Sequence, residues 1–223
     1  MEKMYIIVAL TEMVLFYAVY FGKMLAQRRR GIRTRQLGKG IRKDSRVRRT
    51  EIAVSVATLA IVPEQLVSIL CGLNHVPECL RIVGAVLGFA GDVVFLVAAV
   101  TMRDSWRAGI PNDDKTTLMT EGIYAYSRNP AFVGFDLMYI GLMLMYFNVM
   151  LVVFTILTVV ALHAQILREE DFLCGTFGEQ YLAYKKRTPR YFWPKLLIVT
   201  VSIVKIFTYG TYVNVVQMLV WQE

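Results

Sequence analysis

Five apolar segments dominate the sequence and decide what the chain can fold into. They cover residues 5–26, 52–73, 80–102, 131–147 and 149–167. A helix needs about 20 apolar residues to cross roughly 30 Å of hydrocarbon, and each segment approaches or exceeds that length. The chain is 56% hydrophobic and 19% charged, which is more apolar and less charged than a typical soluble domain. The sequence therefore predicts an all-α, polytopic integral membrane protein with five to six spans.

Positive charge is concentrated between the first two spans. Residues 27–50 contain eleven Lys or Arg and a single acid, Asp44. Cytoplasmic loops carry an excess of basic residues, so this loop is expected inside and the amino terminus outside. The first segment is too long for a signal peptide and lacks a small-residue cleavage site, so it is expected to be a retained span. Basic residues beside spans suit anionic lipid headgroups, and no nucleic-acid partner is predicted.

The chain divides into three parts. Residues 1–102 hold the first spans with the basic loop 27–50, and residues 103–194 form the expected catalytic region around the hairpin 131–167. Residues 195–223 form an apolar carboxy-terminal helix that either spans the membrane or lies in its interface. The fifth span is expected to continue past the bilayer until Gly178 interrupts it.

Charge is expensive within a membrane span, so an acid there points to function. Glu64, Asp92 and Asp136 are such acids. The alternative is that they pair with one another or with backbone groups freed by Pro63. Gly134 and Gly141 lie seven residues apart on one helix face and would allow another helix to approach closely.

The cysteines show no metal-ligand spacing, and no metal site is predicted. Cys71 and Cys79 flank a short external loop and would be able to pair in an oxidising compartment. Free thiols are the favoured interpretation for both, and packing is favoured for Cys174.

A polar and aromatic cluster is split across the hairpin. Arg128 and Asn129 precede Pro130, which suits the first position of a helix, and helix amino termini favour anions. Glu169 and Glu170 lie on the other side, and they point about 100° apart on a helix, so their roles must differ. Four tyrosines offer apolar walls with polar tips, namely Tyr124, Tyr126, Tyr181 and Tyr184. This set matches the carboxylate, sulfonium, ribose and purine of S-adenosyl-L-methionine.

Two motifs carry a resemblance to a known family. They are G-x-Y-x-Y-x-R-N-P-x-x-x-G at 122–134 and E-E-x-x-L-x-x-x-F-G-x-x-Y-x-x-Y at 169–184. Together they resemble the isoprenylcysteine carboxyl methyltransferase and phospholipid methyltransferase superfamily, and DSWRAGI at 104–110 resembles the segment before the catalytic region of bacterial members. The resemblance covers roughly residues 100–194.

The resemblance implies a membrane methyltransferase that uses S-adenosyl-L-methionine at the cytoplasmic face and takes a lipidic acceptor from the bilayer. By position, it implies a cofactor site lined by Tyr126, Arg128, Asn129, Pro130, Glu169 and Glu170. Gly122 and Gly134 would permit close backbone approach there, with Tyr124 and Tyr181 as walls. Glu170 and Arg128 are the expected catalytic residues.

One position departs from the family pattern, and two other questions stay open. The family usually has His where this chain has Asn129, and Asn can donate a hydrogen bond but cannot carry charge.

A carboxylate acceptor needs no base, whereas an amine must lose a proton, with Glu170 as the expected base. The alternatives are an NADPH-dependent sterol-type reductase, for which the acidic run at 169–171 has the wrong sign, and a non-catalytic scaffold. The oligomeric state is not predicted.

Overall fold

Five helices account for most of the described chain. The computed structural model describes residues 2–37, 44–74, 76–110 and 117–192. The helices are α1 (Glu2–Arg29), α2 (Ser45–Leu70), α3 (Glu78–Thr101), α4 (Pro130–Met145) and α5 (Val149–Arg187). Short 3-10 turns at Arg103–Ser105 and Gly122–Ala125 lie between α3 and α4. The prediction of an all-α polytopic membrane fold is confirmed, while the predicted helix at 195–223 lies outside the described residues.

Four of these helices are long and apolar enough to cross a membrane, namely α1, α2, α3 and α5. The fourth predicted span is shorter, because α4 has 16 residues and a length of about 24 Å. It ends before the Phe147–Asn148 turn, where the Asn148 side chain accepts a hydrogen bond from Leu151 N at 3.0 Å and caps α5. α4 is therefore a short helix held among longer ones.

Glycines bring α3 and α4 together in the most extensive helix contact of the described chain. We call this contact the glycine seam, and its members are Gly84, Gly88, Gly91, Gly134 and Gly141. A Cβ atom on Gly141 would lie 2.6 Å from the Gly84 carbonyl oxygen and 2.6 Å from Gly88 N. A Cβ atom on Gly134 would lie 2.7 Å from Phe95 Cβ. The predicted close approach of a helix at Gly134 and Gly141 is confirmed, and the helix is α3.

α5 continues beyond the length of the bilayer and then bends. It runs for 39 residues, with Gly178 in a non-helical conformation at φ 49° and ψ −127°. A positive φ of this size favours glycine, so the predicted interruption at Gly178 is confirmed. After the bend, the short helix ends at Arg187, before Thr188 and Pro189.

The basic loop after α1 is attached to the segment that follows α3. The Gln27 side chain donates to the Trp106 carbonyl at 3.1 Å, and Arg30 pairs with Asp104 at 2.8 Å. Arg35 and Ala108 form an isolated parallel bridge. The first loop therefore lies at the same end of the molecule as residues 103–110.

The acids within the spans have different surroundings. Ser68 Oγ donates to Glu64 at 3.3 Å, so Glu64 pairs with a neighbour on its own helix. Asp92 and Asp136 keep carboxylate oxygens without a hydrogen-bond partner among the described residues. The cysteines are free thiols, as the favoured interpretation predicted, at Cys71, Cys79 and Cys174.

Candidate active site

The segment before α4 is bound to the segment after α5. Arg128 N donates to the Pro189 carbonyl at 2.9 Å, and the Arg128 guanidinium donates to the Thr188 carbonyl at 2.6 Å. Ser127 Oγ donates to the Arg190 carbonyl at 3.0 Å. The two halves of the cluster predicted from the sequence therefore meet at one end of the α4–α5 hairpin.

A buried carboxylate organises this junction. Glu170 is 3% exposed, and its Oε1 accepts from Arg128 Nη2 at 2.8 Å, from Arg190 Nε at 3.0 Å and from Asn129 Nδ2 at 3.2 Å. Its Oε2 accepts from Arg190 Nη2 at 2.9 Å. We call Glu170, Arg128, Arg190 and Asn129 the charge centre. Two guanidinium groups around one carboxylate leave the charge centre with a net positive charge.

The charge of Glu170 is strongly stabilised. Burial alone raises the pKa of this carboxyl, but the hydrogen bonds and charges of Arg190 and Arg128 outweigh burial and lower the pKa to about 2. The Glu170 carboxylate likewise raises the pKa of Arg190. Glu170 is therefore ionised throughout the physiological range and is a poor proton acceptor.

A cavity of about 90 Å³ adjoins the charge centre. We call it the polar cavity for the charged and hydroxyl side chains in its wall, although most of its surface is apolar. It lies between the segment that follows α3, the 3-10 turn at Gly122–Ala125 and the extension of α5. Its polar lining includes Arg107, Tyr124, Arg128, Glu169 and Tyr181. Arg128 Nε and Tyr181 Oη are buried without a hydrogen-bond partner among the described residues. The two side chains lie close to each other, and the Arg128 guanidinium interacts with the Tyr181 hydroxyl.

A larger, mostly apolar cavity of about 200 Å³ lies between α1, α2, α4 and α5. Its walls carry aromatic rings from several helices, among them Tyr17, Tyr20, Trp106, Phe132, Phe135 and Tyr139. Arg107, Gly109 and Glu169 line both this cavity and the polar one. The two cavities therefore meet at these three residues.

The structure divides the ten residues predicted for the site into three groups. Those that line the polar cavity are Tyr124, Arg128, Glu169 and Tyr181. Asn129 and Glu170 do not line the cavity: Glu170 accepts a hydrogen bond from Arg128, and Asn129 donates one to Glu170. The remaining four, Gly122, Tyr126, Pro130 and Gly134, line neither cavity.

Each of those four residues has another place in the fold. Tyr126 is 70% exposed. Gly122 has φ +59° and faces Thr101, and Pro130 occupies the first turn of α4. Gly134 belongs to the glycine seam, where its missing side chain lets α3 approach α4.

Sequence reasoning missed the partners of the two acids. Arg190 is not among the residues predicted for the site, yet it makes two hydrogen bonds to Glu170. Gln165 donates to Glu169 at 2.9 Å. Gln165 lies four residues before Glu169, which is one helical turn, so this contact was available from spacing. Arg107 lies within DSWRAGI. That motif indicated the segment before the catalytic region, but it did not single out Arg107 as a site residue.

The sequence was compared with known families and proteins. Residues 80–180 match the profile of the phospholipid methyltransferase family. The chain is 31% identical over 113 residues to the protein-S-isoprenylcysteine O-methyltransferase of Xenopus laevis, which covers 49% of this chain and 39% of that protein. It is 34% identical over 113 residues to the Homo sapiens protein of the same name, covering 49% of this chain and 40% of that one. The match thus spans about two fifths of the length of these relatives.

Proposed function

We propose that the chain is a membrane methyltransferase of the isoprenylcysteine and phospholipid methyltransferase superfamily, because residues 80–180 match the phospholipid methyltransferase profile and the chain is similar to two protein-S-isoprenylcysteine O-methyltransferases. Its methyl donor is S-adenosyl-L-methionine, and its acceptor is a lipidic molecule that enters from the bilayer. The observation that carries this proposal is the meeting of a polar and an apolar cavity at Arg107, Gly109 and Glu169. A polar donor and an apolar acceptor must share such a boundary for a group to pass between them.

The polar cavity fits the donor. Arg128 and Tyr181 line this cavity, and their N–H and O–H donors suit a carboxylate and a ribose hydroxyl. Glu169 supplies an acid for a cationic centre at the boundary of the two cavities. When bound, the cofactor supplies an electrophilic methyl group. The positive charge centre favours a ligand that carries a carboxylate.

Glu170 acts in this proposal as a positioning residue. Both of its oxygens accept hydrogen bonds from the charge centre, and its pKa of about 2 leaves no proton-accepting role near neutral pH. Its contacts fix the Arg128 guanidinium at the wall of the polar cavity. The base that the sequence assigned to Glu170 is therefore proposed at Glu169, which borders the acceptor, for an amine acceptor only.

The rest of the catalytic contribution is positional. Methyl transfer is an in-line displacement, and holding two reactants in alignment can supply roughly 7–11 kcal/mol of the barrier. The aromatic walls of the apolar cavity exclude water and orient the acceptor toward the boundary. A carboxylate acceptor needs no proton transfer, whereas an ammonium must first lose a proton to Glu169.

We place this site at the cytoplasmic face. The basic loop after α1 lies at the same end as the site, through the contact of Gln27 with Trp106 and the bridge between Arg35 and Ala108. Loops rich in Lys and Arg stay in the cytoplasm. This orientation is tested with a single cysteine introduced at Arg33. Its labelling by an impermeant maleimide is compared between intact cells and permeabilised cells.

Calorimetric titration of the detergent-purified chain with S-adenosylhomocysteine tests the cofactor class. Micromolar binding is expected, together with about tenfold weaker binding by Tyr181→Phe, which removes one hydroxyl partner. Tyr5→Phe is the matched control, because Tyr5 donates to Glu78 at the other end of the molecule. Binding of NADPH alone would favour a reductase, and binding of neither compound to folded protein would favour a scaffold.

A further inference from the structure

The amino-terminal half of the chain supplies almost half of the wall of the apolar cavity, although the family match begins at residue 80. Its contribution is mainly aromatic and aliphatic, from residues such as Tyr17, Tyr20 and Val54. Among the described residues of this half, Arg35 is the one charged residue in the wall. The part of the acceptor site outside the family match therefore combines apolar surface with a single cation.

Arg35 is fixed close to the boundary between the two cavities. Ala108 N donates to the Thr34 carbonyl at 3.0 Å, and Gln36 N donates to the Ala108 carbonyl at 2.8 Å. Ala108 lies between Arg107 and Gly109, which line both cavities. The backbone of Arg35 is thus bound to the segment at which transfer is proposed to take place.

The Arg35 guanidinium forms no ion pair with a described residue. Arg35 is exposed and also lines the cavity, so it lies where the cavity opens to the surface. The planar guanidinium matches carboxylate and phosphate oxygens, with which it forms paired hydrogen bonds. A ligand in the cavity that carries an anionic group at this opening would meet Arg35.

The cavity also has an exit toward lipid. Phe21 on α1 and Leu59 on α2 both line it, and they are 58% and 74% exposed. Both lie within helices that are long and apolar enough to span the membrane. An apolar tail can therefore leave the cavity sideways between α1 and α2.

We propose that Arg35 is a specificity-determining residue that binds the anionic group of the acceptor, a carboxylate or a phosphate, while the apolar tail passes between Phe21 and Leu59. This inference rests on the proposed methyl transfer. It assigns acceptor selection to the half of the chain outside the family match, and donor binding to the matched half.

The test measures initial rates of radiolabelled methyl transfer by the wild-type chain, Arg35→Gln and Arg35→Lys. The two acceptors are N-acetyl-S-farnesylcysteine, which offers a carboxylate, and phosphatidylethanolamine, which offers a phosphate beside its amine. Arg35→Gln is expected to raise the KM of the accepted compound at least tenfold and to change kcat less than threefold. Arg35→Lys is expected to recover part of the loss. The acceptor that is methylated identifies the partner of Arg35 as carboxylate or phosphate.

Arg33→Gln is the matched control, because Arg33 is an exposed arginine of the same loop that lines neither cavity. An equal rise in KM for Arg33→Gln would overturn the inference, because general surface charge would then explain the effect. A KM of Arg35→Gln within twofold of the wild-type KM would also overturn it.

A second readout is independent of turnover. Thermal stabilisation by N-acetyl-S-farnesylcysteine is compared with stabilisation by its methyl ester, and thermal stabilisation by dodecyl phosphate with that by dodecanol. The wild-type chain is expected to prefer the charged member of at least one pair, and Arg35→Gln to lose that preference. Equal stabilisation within both pairs overturns the inference. Absence of both methyl transfer and S-adenosylhomocysteine binding overturns the proposed function instead.

Discussion

The glycine seam and the charge centre both hold α4, and they do so by opposite means. The seam runs along α4 and depends on volume that no side chain fills, because Gly141 leaves room for the backbone of Gly84. The charge centre lies where α4 begins and depends on polar side chains that are all present, with Glu170 at its middle. Apolar burial gives little driving force between helices in lipid, so close packing and polar contacts carry the association. One region is sensitive to added volume and the other to lost charge.

The largest effect is expected from removing the central carboxylate. Glu170→Ala leaves the buried Arg128 without its counter-charge, and breaking a buried pair in this way costs about 3–5 kcal/mol of stability. Thermal denaturation in detergent measures the change. Asp171→Ala is the neighbouring control, since Asp171 is 75% exposed and its contact with Arg168 is 3.6 Å long, so a change under about 0.5 kcal/mol is expected. Similar losses in both variants would contradict the distinction.

Glu169→Gln separates the two adjacent acids by function. We expect about a 100-fold loss of methyl transfer, equivalent to about 2.7 kcal/mol, because Glu169 borders both cavities. The denaturation midpoint should stay near that of wild type. Glu179→Gln, an exposed acid on the same helix, serves as the control. Full activity in Glu169→Gln would remove this residue from the proposed mechanism.

Gly141→Ala tests the glycine seam by adding one methyl group. Its Cβ atom would meet backbone atoms of α3 at 2.6 Å, and backbone cannot move aside as a flexible side chain can. Overpacking of this kind typically costs 1–3 kcal/mol, which a shift in the denaturation midpoint will report. Gly22→Ala is the matched substitution, because nothing lies within 4 Å of its Cβ position. Equal behaviour of the two variants would show that the seam is looser than described.

Acid should weaken the charge centre and leave the glycine seam unchanged. The folded pKa of Glu170, about 2, is below its ordinary value of 4.5, so its stabilising contribution is complete above about pH 4.5 and is lost as pH falls toward 2. Denaturation midpoints measured from pH 3 to pH 9 should therefore be flat for this group above pH 5. The difference between wild type and Glu170→Gln isolates it from other carboxyls, and a difference that is constant with pH would contradict the assignment.

Features read from local sequence were predictable. Apolar length placed four spanning helices, and glycine spacing identified the face on which α4 meets another helix. Gly178 was predicted as an interruption because glycine both weakens a helix and tolerates positive φ. Each of these signals acts within a few residues of its effect. The short length of α4 was less apparent, because apolar Tyr146 and Phe147 continue the pattern beyond its end.

Contacts across the hairpin were not predictable in the same way. Arg190 follows Pro189, where the chain has left α5 and no helical period relates it to Glu170. The role of Glu170 therefore depends on a partner that only the tertiary structure supplies. The roles of Tyr126, Gly122 and Pro130 at a cofactor site rested on the resemblance, and they stay predictions. The apolar cavity was also hidden, because its walls come from α1, α2, α4 and α5 at once.

The hydrogen bonds that join the two ends of the α4–α5 hairpin have a consequence for biosynthesis. Arg128 and Thr188 are 60 residues apart, and both α4 and α5 lie between them. During translation Arg128 leaves the ribosome first, and its carbonyl partners exist only after the intervening helices have been made. The charge centre can therefore form only after α4 and α5 have brought the chain back to the side of the membrane on which Arg128 lies. A nascent chain that ends at Arg187 contains every helix described here and still lacks Arg190 of the charge centre.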